Sequence, residues 1–332
     1  MAAAGDAGGR RVPPGGLVRV LITGAAGNLG GFLARHLVGG PHDLRLMVHR
    51  APPAEALACS PRVEVVRADL GRPETLDASL EGVDTIVHFA GVLFAPFPER
   101  FLPRTNLRYV VHLAEAAARA GVGRFILVSF PHVEGDTTPD ALARGALDRD
   151  PPSVHARTRL AAERHLFDHL HGTKTKVVVL RSGTIYGRGV LMIEAARWLM
   201  RRRLLGVWRR PTWYHFLSLP DFLACARAAI EKPDVSGIYL LGDERPIPLQ
   251  DFLDLLARTW GFPRPWRAPA WSFAAAGLLC ELAAALLGTA SPLTRDFIRI
   301  GMVSHVCDTT RMRRELLPTL AYPTVEDGRV LL

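Results

Sequence analysis

T-G-A-A-G-N-L-G, residues 23–30, is the stretch that decides the fold. It follows the apolar run L-V-R-V-L-I at 17–22 and opens a helix-like segment, 29–38, that Gly39-Gly40-Pro41 ends. Strand, glycine turn and helix in this order build a dinucleotide phosphate site. Gly24 permits the tight turn, Gly27 lets the backbone approach a pyrophosphate, and Gly30 lets helix pack on strand. The first N–H groups of the helix have no partner inside it and face the phosphates. The cofactor-binding residues expected here are Gly24, Ala26, Gly27, Asn28, Leu29 and Gly30.

Further strands read at 44–48, 63–67, 85–89, 125–129 and 177–181, with helices at 106–120 and about 154–171. Strands alternating with helices imply an α/β, doubly wound parallel sheet of the Rossmann type. Past residue 183 proline and tryptophan become denser. Helices near 190–203, 220–231, 249–260 and 270–287 alternate there with short strands near 216–219 and 237–241. The expected organisation is a flexible leader (1–16), a dinucleotide-binding domain (17–182) and a mostly helical substrate region (183–332), partly interleaved with the sheet. The 270–287 segment carries one charge, Glu281, and is expected as a buried or lid helix, ahead of peripheral membrane contact and of a true span, since a mid-bilayer carboxylate needs a partner.

The second strand ends V-H-R-A-P, with His49 and Arg50 and no acid. An acid there would hold the ribose hydroxyls of NAD, whereas Arg50 can pair a 2′-phosphate, so NADP is favoured over NAD.

The chain has 332 residues, 48% hydrophobic and 22% charged, which excludes disordered and fibrous classes. Lys+Arg number 41 against 32 Asp+Glu, yet lysine stands only at 174, 176 and 232. The arginine clusters at 201–203, 209–210 and 311–314 lack an aromatic platform or a nucleic-acid motif, so no nucleic-acid partner is expected. Four scattered cysteines form no C-x-x-C, no metal site is expected, and a reducing cytoplasm fits. The first sixteen residues lack the apolar core of a secretory signal.

Several segments together resemble the extended short-chain dehydrogenase/reductase superfamily, its NAD-dependent epimerase/dehydratase group. T-G-A-A-G-N-L-G is similar to that family's cofactor turn, and R-A-D-L at 67–70 to the segment whose Asp, here Asp69 beside Leu70, contacts adenine. H-F-A-G at 88–91 resembles the loop beside the nicotinamide ribose, placing Ala90 and Gly91 there, and Asn106 sits where the family has a structural Asn. R-S-G-T-I-Y-G-R-G at 181–189 and D-T-T-R-M-R-R-E-L at 308–316 resemble later family segments.

The resemblance implies chemistry by Ser/Thr, Tyr and Lys, the last two as Y-x-x-x-K on one helix face. This chain reads H-A-R-T-R-L-A-A-E at 155–163, so His155 stands in the Tyr position and Arg159 in the Lys position. Phe130 stands in the Ser/Thr position, with Ser129 one residue earlier. No Y-x-x-x-K occurs anywhere, and no lysine precedes Lys174. Histidine can exchange a proton near neutral pH, and arginine can clamp ribose hydroxyls but not shuttle protons. The expected catalytic residues are His155, Arg159, Ser129 and Tyr186, with Tyr109, His132, Ser182, Tyr214 and His215 as further polar groups.

The expected function is NAD(P)-dependent action on a hydroxyl or carbonyl of an apolar small molecule. The alternatives are a non-redox isomerase, dehydratase or cyclase in the same pocket, and a non-catalytic nucleotide sensor. No membrane contact is expected, and a homodimer is compatible with the fold.

Overall fold

The computed structural model describes residues 17–91, 97–289, 291 and 293–332; the leader at 1–16 lies outside them. The sheet strands are β1 (Arg19–Thr23), β2 (Asp43–Val48), β3 (Val63–Arg67), β4 (Thr85–His88), β5 (Arg124–Ser129), β6 (Lys176–Ser182) and β7 (Gly237–Leu241). All pair in parallel, in the order β7-β6-β5-β4-β1-β2-β3. The order reverses between β1 and β4, and ligands of such sheets bind at the carboxyl ends of the strands flanking that point.

The helices that matter for the site are α1 (Asn28–Leu37), α2 (Tyr109–Ala120), α3 (Val154–His169), α4 (Leu191–Arg201), α5 (Leu219–Glu231), α6 (Leu249–Trp260), α7 (Ala270–Leu287) and α8 (Arg295–Gly301). Alternation along the strands sorts the core into two layers. Val20 and Ile22 join Leu33 of α1 and Phe222 of α5 on one face. Leu21 and Ile86 join Leu113 of α2 and Leu166 of α3 on the other.

Two elements differ from the sequence reading. The 237–241 strand is the seventh strand of the sheet rather than a small strand of the second half, since Tyr239 and Leu241 are fully buried beside β6. The 270–287 helix is not buried. Only Phe273, Gly277, Glu281 and Ala284 face inward, and Leu286 is 87% and Trp271 73% exposed.

Candidate functional site

The phosphate turn forms as its glycines require. Gly24 has φ +70°, and a Cβ there would meet the backbone N of Ala90 at 3.0 Å, so any other residue is strained and crowded. A Cβ on Gly30 would stand 2.4 Å from the Gly24 carbonyl oxygen. The Gly27 N–H donates to that same carbonyl at 2.8 Å, and no side chain caps α1. Its first N–H groups therefore remain available to an anion. Ala26, Gly27 and Asn28 are exposed, Leu29 is half-buried, and the Asn28 amide bridges to the Gly189 carbonyl and the Leu191 N–H. Gly30→Ala is expected to abolish nucleotide binding while leaving the far-ultraviolet CD spectrum native; NADPH fluorescence titration checks it.

The far end of the same crevice is built from the loops after β2 and β3. Asp69 accepts the Gly71 N–H at 2.8 Å and stands 3.5 Å from His49 Nε2 at the end of β2. Leu70 is buried, and its carbonyl is bonded to His112 Nδ1. Arg50 is exposed and makes no ion pair among the described residues.

At the centre, a Cβ on Gly91 would lie 3.5 Å from Arg159 Nη2 and 3.8 Å from Asn106 Oδ1. Asn106 sits in a π-helical stretch, Pro103–Arg108, ahead of α2, and donates to Thr158 Oγ1 at 3.2 Å. The structure thus brings Arg159, Asn106 and Gly91 together, as the sequence implies, and adds His88, whose Nδ1 is 2.9 Å from Thr23 Oγ1. Asn106 Oδ1, Arg159 Nε and Nη1, His88 Nε2 and His155 Nδ1 are all buried without a hydrogen-bond partner among the described residues. Buried polar atoms are costly unless satisfied, so this cluster reads as a set of donors and acceptors awaiting a polar ligand. Together with the side-chain-free cradle at Gly24 and Gly30, it fits a nicotinamide dinucleotide.

His155 lies on the first turn of α3. Ser153 caps that turn, and Asp296 of α8 accepts the Ser153 hydroxyl and the N–H groups of Val154 and His155, at 3.0–3.2 Å. A carboxylate at a helix N-terminus is stabilising and here fixes the helix that carries His155 and Arg159. The His155 ring stacks on Phe130 at 4.7 Å, Phe130 stacks on His132 at 3.7 Å, and His132 adjoins His305 at 5.5 Å, which packs on Tyr214. Burial first, and the Arg159 charge second, push the His155 pKa down to about 3. Burial lowers Arg159 to about 10, which leaves it cationic at neutral pH. His88 falls to about 3 from burial and Arg159, and His132 drops well below its usual value from burial and its histidine neighbours. The site therefore holds neutral imidazoles around one fixed guanidinium.

Ser129 and Tyr186 are placed elsewhere. The Ser129 hydroxyl donates to Glu163 at 2.5 Å, and Glu163 in turn accepts from Arg181, which also donates to Glu134 at 2.6 Å. Tyr186 is fully buried against Phe252 and donates to the Thr324 carbonyl; burial drives its pKa far upward. Tyr109 packs against Gly71 by the Asp69 loop, and His215 Nδ1 accepts the Cys307 N–H. Sequence reasoning missed Asp296 and His305, which lie some 140 to 150 residues from His155 in no motif. Among the described residues no group of histidine, cysteine and acidic side chains could hold a metal.

Comparison with known proteins agrees with this geometry. The model of the NAD dependent epimerase/dehydratase family matches residues 20–242. A uronate dehydrogenase of Pseudomonas syringae pv. tomato is 30% identical over 227 residues, 68% of this chain and 74% of that one. A 3-diazoavenalumate denitrifying reductase from a Streptomyces species is 30% identical over 274 residues, covering 76% and 85%. Among solved structures, UDP-glucuronic acid 4-epimerase from Bacillus cereus in complex with NAD superposes with a TM-score of 0.74 at 17% identity, over 94% of this chain and 96% of that one. The seven-stranded parallel sheet, the glycine turn and the matched span together make this chain a member of the NAD dependent epimerase/dehydratase family.

Proposed function

We propose that the protein is an NADP-dependent oxidoreductase acting on a hydroxyl or carbonyl of an apolar small molecule, with neutral His155 and cationic Arg159 in place of Tyr and Lys. The observation that carries this reading is His155 Nδ1, buried without a hydrogen-bond partner among the described residues, on a ring stacked on Phe130 and four residues before Arg159 on the same helix. The bound nicotinamide supplies or accepts the hydride.

Every other role falls to the chain. Arg159 donates to ribose hydroxyls and Asn106 Oδ1 accepts from them. A neutral imidazole has one donor and one acceptor nitrogen, and His155 uses its donor to polarise the substrate oxygen as charge develops there. Its low pKa keeps it neutral, so it acts as a hydrogen-bonding electrophile, and the proton that completes the hydroxyl comes from solvent. Phe130 puts an apolar ring where a hydroxyl donor would stand, which favours an apolar or aromatic substrate over a sugar. Arg50, exposed at the end of β2, pairs the 2′-phosphate and selects NADP.

Ketone reduction followed by nicotinamide absorbance, with aromatic ketones and uronates as the two substrate sets, tests the proposal. His155→Phe is expected to lower kcat by about 100-fold or more with nucleotide affinity unchanged. Arg159→Met is expected to weaken NADPH binding at least about tenfold, the loss of a charge-assisted hydrogen bond. Arg50→Ala should weaken NADPH but not NADH. Retained turnover in His155→Phe overturns the assignment. Turnover that needs His155 yet consumes no nicotinamide identifies an isomerase or dehydratase instead.

A further inference from the structure

α7 inverts the usual pattern of a surface helix. Its single charged side chain, Glu281, is buried, where its carboxylate accepts the backbone N–H of Arg295 at 2.9 Å and the Arg295 Nε at 2.7 Å. The outward positions are Trp271, Ala274, Ala275, Leu278, Leu279, Leu282, Ala283, Ala285, Leu286 and Leu287, without one polar side chain among them. They recur at steps of three and four over the whole eighteen-residue helix, so they form one continuous stripe. A soluble helix puts its apolar stripe on the core and its charges in water, and a contiguous exposed stripe of this kind marks a docking surface.

The surroundings specify what docks. The strand Gly206–Trp208 pairs with Trp266–Ala268, and the Arg209 N–H donates to the Ala268 carbonyl, two residues before α7 begins. This sets Arg209 and Arg210 at the N-terminal end of the stripe. Both are exposed and neither has an acidic partner among the described residues. From residue 195 to 220 the chain has six arginines and no acid. Arg299, on the helix packed against α7, is also exposed without an acidic partner. Half-exposed Trp266 stacks on Phe273, and Trp271 stands exposed in the first turn of α7. Arginines and tryptophans rimming an apolar stripe are the composition of the interface between lipid tails and headgroups. Anchoring through Glu281 and a close Gly277–Ile298 contact keeps the other face of α7 on the protein. That arrangement lies on a bilayer and does not span it.

We propose that the exposed face of α7, with its arginine and tryptophan rim, docks on the surface of an anionic phospholipid bilayer. The docking face is connected to the site: Glu281 holds Arg295, and its neighbour Asp296 caps the helix that carries His155.

The test uses the full chain and sedimentation with vesicles of phosphatidylcholine alone or mixed with phosphatidylglycerol. The protein is expected to sediment with the mixed vesicles and poorly with phosphatidylcholine alone. Leu279→Glu/Leu286→Glu should abolish sedimentation, and Arg209→Glu/Arg210→Glu should weaken it about tenfold or more, since each arginine near an anionic surface contributes to affinity. NADPH binding at wild-type affinity by both variants shows that they are folded. No sedimentation of the wild type with either vesicle overturns the proposal, as does sedimentation that survives Leu279→Glu/Leu286→Glu. If the wild type is instead a concentration-dependent dimer that Leu279→Glu/Leu286→Glu makes monomeric, without vesicle binding, a second copy is the occupant and the bilayer proposal fails.

Discussion

Arg181→Met is expected to destabilise the protein by about 3–5 kcal/mol, the usual cost of removing one partner from a buried ion pair. With about 2.1 cal/mol/K of unfolding entropy per residue, this lowers Tm by roughly 4–7 °C. The Arg181 side chain is fully buried, as is that of Glu163, and Glu134 is nearly so. Its guanidinium donates to both carboxylates and to the Ala146 carbonyl, and Glu163 also takes the Ser129 hydroxyl. Without the cation two carboxylates face each other's surroundings unpaired. The loss should come mainly from that uncompensated charge, so adding Glu163→Gln to Arg181→Met should recover part of it. Thermal melts of the two variants decide the matter: a double variant less stable than the single one would mean that geometry, not charge, is what Arg181 provides. Ser129→Ala, which leaves the ion network itself intact, should cost only about 1 kcal/mol.

Acidification is expected to unfold the protein steeply between pH 7 and 5. Burial lowers the pKa of His88 and His155 to about 3 and of His215 and His305 to about 4, and holds His132 well below its usual value. In the unfolded chain these histidines protonate near 6.5. Below that pH the unfolded state binds protons that the native state does not, so stability is fully present above pH 6.5 and is lost as pH falls. Burial raises Asp243 to about 8, so its native carboxyl holds a proton that the unfolded one lacks and offsets one histidine. After that offset three of the four histidines with values of about 3 or 4 remain, at about 2 kcal/mol each by pH 5, a loss on the order of 6 kcal/mol to which His132 adds in the same direction. A Tm that stays level from pH 7.5 to 5.5 would refute this. His132→Phe should reduce the slope by about one proton, and it separates the histidine row from a general acid effect. The same shifts keep His155 neutral over this whole range, so any acid limb of turnover should track the loss of folded protein rather than the titration of His155.

The sheet was legible because each part of it is local. A strand, a glycine turn and a helix lie within twenty residues, and Gly24 and Gly30 are demanded by contacts to Ala90 and to the turn's own carbonyl. The meeting of Gly91, Asn106 and Arg159 follows from the same logic, since each belongs to a motif at or near a strand end. Ser129 and Tyr186 show where that logic stops. Both stand at the ends of strands in motif-like stretches, yet the direction of a side chain depends on what packs opposite. Glu163 takes the Ser129 hydroxyl, and the Thr324 carbonyl takes the Tyr186 hydroxyl. The row from His155 through Phe130 and His132 to His305 joins segments some 150 residues apart, and no spacing rule reaches across that distance.

The sequence by itself determined a parallel α/β fold with a nucleotide turn, while the placing of His155 and Arg159 at the Tyr and Lys positions is what its family resemblance implies. It did so through residue types at fixed local spacing. Only the tertiary structure decided that His155 is neutral, that Arg181 pairs with Glu163, and that the apolar stripe of α7 faces out. Each of these depends on burial and on partners distant in the chain. Helical periodicity shows that a stripe exists, but the inward turn of Glu281 toward Arg295 settles which side of the helix meets the protein.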